Sequence, residues 1–116
     1  MEIKRYDCGV RFATAVEYNG MVYTSGLVTS DRTGDITAQT KDVLSKIDAA
    51  LEKAGSDKDH VIMVNIWIAD MKLFGEMNAV WDEWVSKENM PVRACVEAKL
   101  AGNGNLVEIA AIAVKK

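Results

Sequence analysis

This chain is short of most residues that advertise a chemistry. Its 116 residues include one histidine, one proline and two cysteines. His60, Cys8 and Cys95 form no cluster with metal-ligand spacing, so no metal site is expected. Two cysteines do not make a disulfide framework. They suit free thiols in a reducing compartment, and the expectation is a cytoplasmic protein. No apolar run approaches the ~20 residues of a membrane span, and "MEIKRYDCGV" has no apolar stretch of the kind a secretory signal carries. Acidic residues outnumber basic ones, 17 to 14, for a net charge of −3, and no basic cluster occurs. That argues against an electrostatic nucleic-acid binder. "AGNGN" (101–105) lacks the strand–loop–helix setting of a phosphate loop. Repeats, low-complexity tracts and linkers are missing too, so residues 1–116 read as a single domain.

What the chain does have is patterning. Asn19-Gly20 stands between two β-rich runs, which predicts a tight hairpin with strands over about 13–18 and 21–25. A shorter strand is expected at about 2–6. Between about 37 and 54 the residues Val43, Leu44, Ile47, Leu51 and Ala54 recur at helical spacing. Asp35 or Thr37 can cap this helix and Gly55 can end it. "HVIMVNIWIA" (60–69) reads as a buried strand. A second helix, about 71–87, carries Phe74, Met77, Trp81 and Trp84 on one stripe, with Asp70 as a cap. Strands over about 92–99 and 106–114 follow, joined by the Gly-rich "AGNGN" turn. The order β-β-β-α-β-α-β-β lets two helices cover one face of a sheet. The last strand is apolar on both faces, so its second face is expected to pack against other subunits, with pockets at those interfaces.

Two stretches carry the candidate chemistry. In "PVRACVEAKL" (91–100) the apolar residues fall on even positions, and Arg93, Cys95, Glu97 and Lys99 fall on odd ones. Alternation puts Arg93 and Cys95 on one face. That face is either solvated or part of a site. In "NLVEIAAIAV" (105–114) Glu108 stands alone among apolar residues, where a carboxylate needs a partner or a raised pKa. It is either a structural ion pair with Arg93 or a lysine, or a carboxylate kept for acid–base work. If these two strands form a hairpin of suitable register, Arg93 and Glu108 line one cavity; a one-residue slip sends them to opposite faces. Trp81 and Trp84 read as core residues, with Trp84 able to edge a cleft.

The pair "PVRACVEAKL…LVEIAAIAV" resembles the C-terminal signature of the Rid family of reactive-intermediate deaminases (RidA/YjgF, with RutC-like members). "NGMVYTSGLV", "QTKDVLSKIDAALEKAGSDKDHVIMVNIWIADM" and "FGEMNAVWDEWV" are similar to its other segments, so the likeness spans the chain. The resemblance implies an α+β, chorismate-mutase-like fold: a six-stranded mixed sheet with two helices packed on one face, assembled as a barrel-like homotrimer with active sites between subunits. It implies hydrolysis of 2-imino or enamine acids to 2-keto acids and ammonia, without a cofactor. Carried over by position, Arg93 binds the substrate carboxylate, and Cys95 and Glu108 hold or activate water. Ser25, Gly26, Asn78, Phe12 and Trp84 belong to the pocket. Phe12 stands where the deaminase branch places a tyrosine; RutC-like branches show an Arg-aromatic pair such as Arg11-Phe12. A trimer that only binds small carboxylates is the competing reading. Ribonuclease activity, attached to some members, is disfavoured by the acidic balance.

Overall fold

Asn19 and Gly20 take positive φ angles of 53° and 79°, the backbone a two-residue hairpin of matching twist requires. They join β2 (Ala13–Tyr18) to β3 (Met21–Thr24), with Tyr18 opposite Met21. Strand β1 (Lys4–Cys8) pairs antiparallel with β2 and lies two residues beyond its expected place. The computed structural model describes residues 2–116.

Helix α1 (Ile36–Lys53) begins where the Asp35 carboxylate accepts the Ala38 N–H at 2.9 Å. It stops at Gly55, whose φ of 84° suits glycine. The expected stripe is buried along its length, from Val43 to Ala54. Strand β4 (Val61–Ile68) follows. Helix α2 (Phe74–Trp84) is shorter than expected at both ends. Residues Met71–Leu73 form a 3-10 turn capped by Asp70, and Val85 is already extended.

Strands β5 (Val92–Glu97) and β6 (Val107–Val114) complete a sheet of order β1-β2-β3-β6-β4-β5. All pairs are antiparallel except β4–β5. This corrects the expected hairpin: "AGNGN" does not join neighbouring strands, because β4 lies between β5 and β6. A parallel β4–β5 pair needs a crossover, which α2 supplies. The doubly apolar β6 takes the central position, and the mixed β5 takes the edge.

The registers fix the faces. Val64, Ile66 and Ile68 on β4, with Val107, Ile109, Ala111 and Ala113 on β6, face the helices and are at most 1% exposed. The opposite face carries Met63, Trp67, Ala110, Ile112 and Val114, together with Val92 and Val96 of β5. No element among the described residues covers that face. Val92 is 66% exposed and Val96 51%.

Candidate functional site

Arg93 pairs with Val64, and Val64 with Ala111, so the arginine lies on the helix side of the edge strand. There its Nη1 donates to the Asn78 side-chain oxygen at 2.8 Å. The guanidinium also sits 5.1 Å from the Trp81 ring centroid and 5.7 Å from that of Phe74. Planar, weakly hydrated guanidinium stacks well on aromatic faces. Arg93 takes part in none of the ion pairs among the described residues. It is a partly buried cation, oriented by an amide and two rings, with most of its five N–H donors unspent. That arrangement leaves a cation with donors to spare.

Cys95, two residues along on the same face, packs against the core. Burial pushes its thiol pKa up, and the nearby Arg93 charge opposes this only in part.

Glu108 lies elsewhere. It pairs with Trp67, which in turn pairs with Val96, and all three point to the open face. The structure therefore sets Arg93 and Glu108 on opposite faces of the sheet. Two strand spacings and three residues separate their Cα positions, roughly 14 Å at the usual β dimensions. The slipped arrangement prevails over the shared cavity because β4 intervenes and fixes each strand's phase separately. An ion pair between the two within one chain is excluded. Among the described residues Glu108 makes no salt bridge or side-chain hydrogen bond.

The Glu108 carboxylate instead lies over Gly26. A methyl group built there would stand 2.2 Å from Oε2 and 3.0 Å from Cδ. Local strand chemistry creates this shelf. Strand β3 ends at Thr24, whose hydroxyl accepts the Ala111 N–H at 2.9 Å, and the Ser25 N–H turns back to the Thr14 carbonyl at 2.8 Å. Pairing to β6 resumes only at Leu27, opposite Ile109. Ser25 and Gly26 thus span a gap in the ladder beside Glu108. Phe12, 62% exposed, closes a turn in which its carbonyl accepts the Gly9 N–H, two residues before Thr14.

Trp84 belongs to neither group. Its indole N–H donates to both Asp48 oxygens, at 3.0 and 3.1 Å, and it lines a cavity between the helices. Phe74 and Trp81, the rings that flank Arg93, were not among the expected site residues. The signal was present in their spacing from Asn78, four before and three after, which places all three on one side of α2.

These features define a class: two helices on one face of a six-stranded mixed sheet, with a partly buried arginine on the edge strand. The family described as Endoribonuclease L-PSP matches residues 3–115, and the chain belongs to it. A RutC family protein of Haemophilus ducreyi is 43% identical over 107 residues, covering 92% of each chain. The RutC family protein YoaB of Escherichia coli is 38% identical over 113 residues, 97% of this chain and 98% of that one. Among solved structures, a YjgF family member from Neisseria meningitidis superposes with a TM-score of 0.95 at 44% identity, covering 100% of this chain and 97% of that one. Rv2704 of Mycobacterium tuberculosis, of the YjgF/YER057c/UK114 family, gives 0.88 at 31% identity, over 97% and 99%. Among the described residues no helix is long and apolar enough to cross a membrane.

Proposed function

We propose that the protein hydrolyses reactive 2-imino and enamine acids to 2-keto acids and ammonia, in clefts shared by two copies of the chain within a homotrimer. The observation that carries this reading is Arg93, a partly buried guanidinium bonded to Asn78 and flanked by Trp81 and Phe74, with no acid of its own. A planar fork of this kind suits a carboxylate with two parallel hydrogen bonds. Holding that end fixes the adjacent C=N carbon, which supplies the positional part of catalysis.

The remaining groups stand on the other face. Ring assemblies built from head-to-tail contacts bring different patches of neighbouring chains together. The uncovered apolar face supports such a contact. In the shared cleft one copy supplies Arg93, Asn78 and Cys95; the next supplies Glu108 on its Gly26 shelf, with Ser25 and Phe12. Glu108 takes a proton as water adds to the protonated imine carbon, giving a carbinolamine. It returns that proton to the nitrogen and takes the hydroxyl proton as the C–N bond breaks, so ammonia leaves, the ketone forms and the carboxyl group gives up its last proton to solvent. The iminium is electrophilic enough for water without a cofactor. Cys95, with its raised pKa, serves as a neutral hydrogen-bonding group for the water.

Complementation tests the arrangement. R93A and E108Q are each expected to be inactive, assayed by ammonia release from an imine generated in place by an amino-acid oxidase. When the two are unfolded together in equal amounts and refolded, about one cleft in four receives both intact residues, one half for each. Activity should return to about that fraction. A mixture as inactive as its components overturns the shared cleft, and turnover by R93A alone overturns the substrate assignment. A trimer that binds 2-keto acids without turnover remains the second reading, because Arg93 alone serves it. Ribonuclease chemistry has less support, since the chain is acidic overall and Arg93 is a single cation.

A further inference from the structure

The cavity between α1 and α2 does not include Arg93; the Trp81 ring stands between them, 5.1 Å from the guanidinium and 5.4 Å from the Trp84 ring. The cavity measures about 270 Å³, at the small end of ligand sites, which run to roughly 300–1,000 Å³. Its floor is apolar, made by Leu44, Val80 and the Trp84 ring. Its rim carries charge of both signs: Lys41 and Lys58 against Asp48 and Glu83. None of these four forms an ion pair among the described residues. Lys58 hangs over the Trp84 ring at 5.9 Å, near enough to Asp48 to lower its pKa without closing on it. Asp48 is partly buried and, among the described residues, its carboxylate accepts only from the indole N–H; burial raises its pKa, and that hydrogen bond and the Lys58 charge offset the rise only in part. The cavity opens on the helix layer, the side of the sheet away from the uncovered apolar face.

We infer that this cavity binds a free α-amino acid with an apolar side chain. The ammonium group would lie between Asp48 and Glu83, the carboxylate would meet Lys58 and Lys41, and the side chain would rest on Leu44, Val80 and Trp84. A zwitterion satisfies both unpaired signs at once, which a simple amine or a simple acid cannot do. Cation and anion in one small apolar-floored pocket also disfavour a nucleotide or a sugar. The site is separate from the deaminase reading and stands or falls without it.

L-leucine is the probe. The chain has three tryptophans, so an amide-proton NMR spectrum of the 15N-labelled protein shows three indole signals, and W84F assigns the relevant one. Titration should shift the Trp84 signal saturably, with a dissociation constant in the millimolar range or below. 4-Methylpentanoate, which lacks the amine, and 3-methylbutylamine, which lacks the carboxylate, should each bind at least about tenfold more weakly. D48N and K58A should each weaken leucine by a similar factor. K58A guards against a change of fold, since Lys58 bonds to nothing in the core. R93A should leave leucine binding within about twofold. The site is refuted if the Trp84 signal does not move by about 50 mM leucine. Equal binding of leucine and either analogue, or loss of leucine binding by R93A in calorimetry, refutes it as well.

Discussion

Adding one methyl group at Gly26 separates the place of Glu108 from the fold that holds it. In G26A the new carbon would lie 2.2 Å from Oε2, where carbon and oxygen in contact stand about 3.3 Å apart. The carboxylate must therefore move by about 1 Å, and the methyl also crowds its Cδ and Cγ. Little opposes that movement, because Glu108 is partly exposed and unpaired among the described residues. Nor does the backbone object: Gly26 is not among the positive-φ glycines. Replacing glycine by alanine at such a site stabilises by ~0.4–1 kcal/mol through the unfolded chain. Thermal stability should thus stay within roughly 5 °C of wild type. Catalysis should not. Misplacing a catalytic group by ~1 Å can cost about 100-fold, equivalent to about 2.7 kcal/mol of barrier. The measurement is kcat/KM for ammonia release, coupled to an oxidase, alongside a melting curve. The double variant G26A/E108Q should be no slower than E108Q alone, since the methyl acts only through the carboxylate. A folded G26A within about threefold of wild type would refute the reasoning; so would losses that simply add in the double variant.

Three further outcomes are expected. N78A removes the amide that orients Arg93 and should raise KM about tenfold with a smaller change in kcat, the usual scale for one hydrogen bond to a charged group; N78D, which places an anion against the guanidinium, should be worse than N78A in steady-state kinetics. Because burial raises the Cys95 pKa, its thiolate is scarce at neutral pH and becomes abundant only as pH rises through that value. Iodoacetamide at pH 7 followed by peptide mass spectrometry should thus find the exposed Cys8 modified before Cys95, and C95S should retain turnover. I112D puts a charge in the uncovered apolar face and should give a smaller assembly by sedimentation equilibrium, with activity lost in parallel.

The order of elements was legible because each carries a local signature: Asn19-Gly20 for the hairpin, the Val43–Ala54 stripe and Asp35 for α1, Asp70 for the turn before α2. Strand order was not, since periodicity states only which residues share a face of one strand. The two apolar faces of β6 were read as a surface for other subunits, and its central place in the sheet, like the edge place of β5, is recorded only by the strand pairing. The faces of β5 reverse the ordinary expectation. Its apolar Val92 and Val96 are exposed, while Arg93 and Cys95 turn toward the helices. An apolar-inward rule assumes that a single chain makes the whole core, and this sheet has a second apolar face that none of the described residues covers. Glu108 was conspicuous in its strand, but its contact with Gly26 arises from a gap in the β3–β6 ladder that no local pattern records.

The split between Arg93 and Glu108 separates the two functional readings more sharply than the family likeness does. A carboxylate-binding trimer needs only the arginine half, so for it N78A would weaken ligand affinity while G26A and E108Q would be silent. A hydrolase needs the halves to meet. Its activity must then depend on assembly, because within one chain the sheet itself stands between guanidinium and carboxylate. The same logic gives the uncovered face a use beyond stability. Under the hydrolase reading, an apolar surface that holds neighbouring copies in register would also position a proton acceptor beside the bound anion, so I112D and E108Q should fail in the same assay for different reasons. Raising each variant's own concentration distinguishes them: mass action should restore I112D, which lacks only its neighbour, and should leave E108Q inactive, because every copy then lacks the carboxylate.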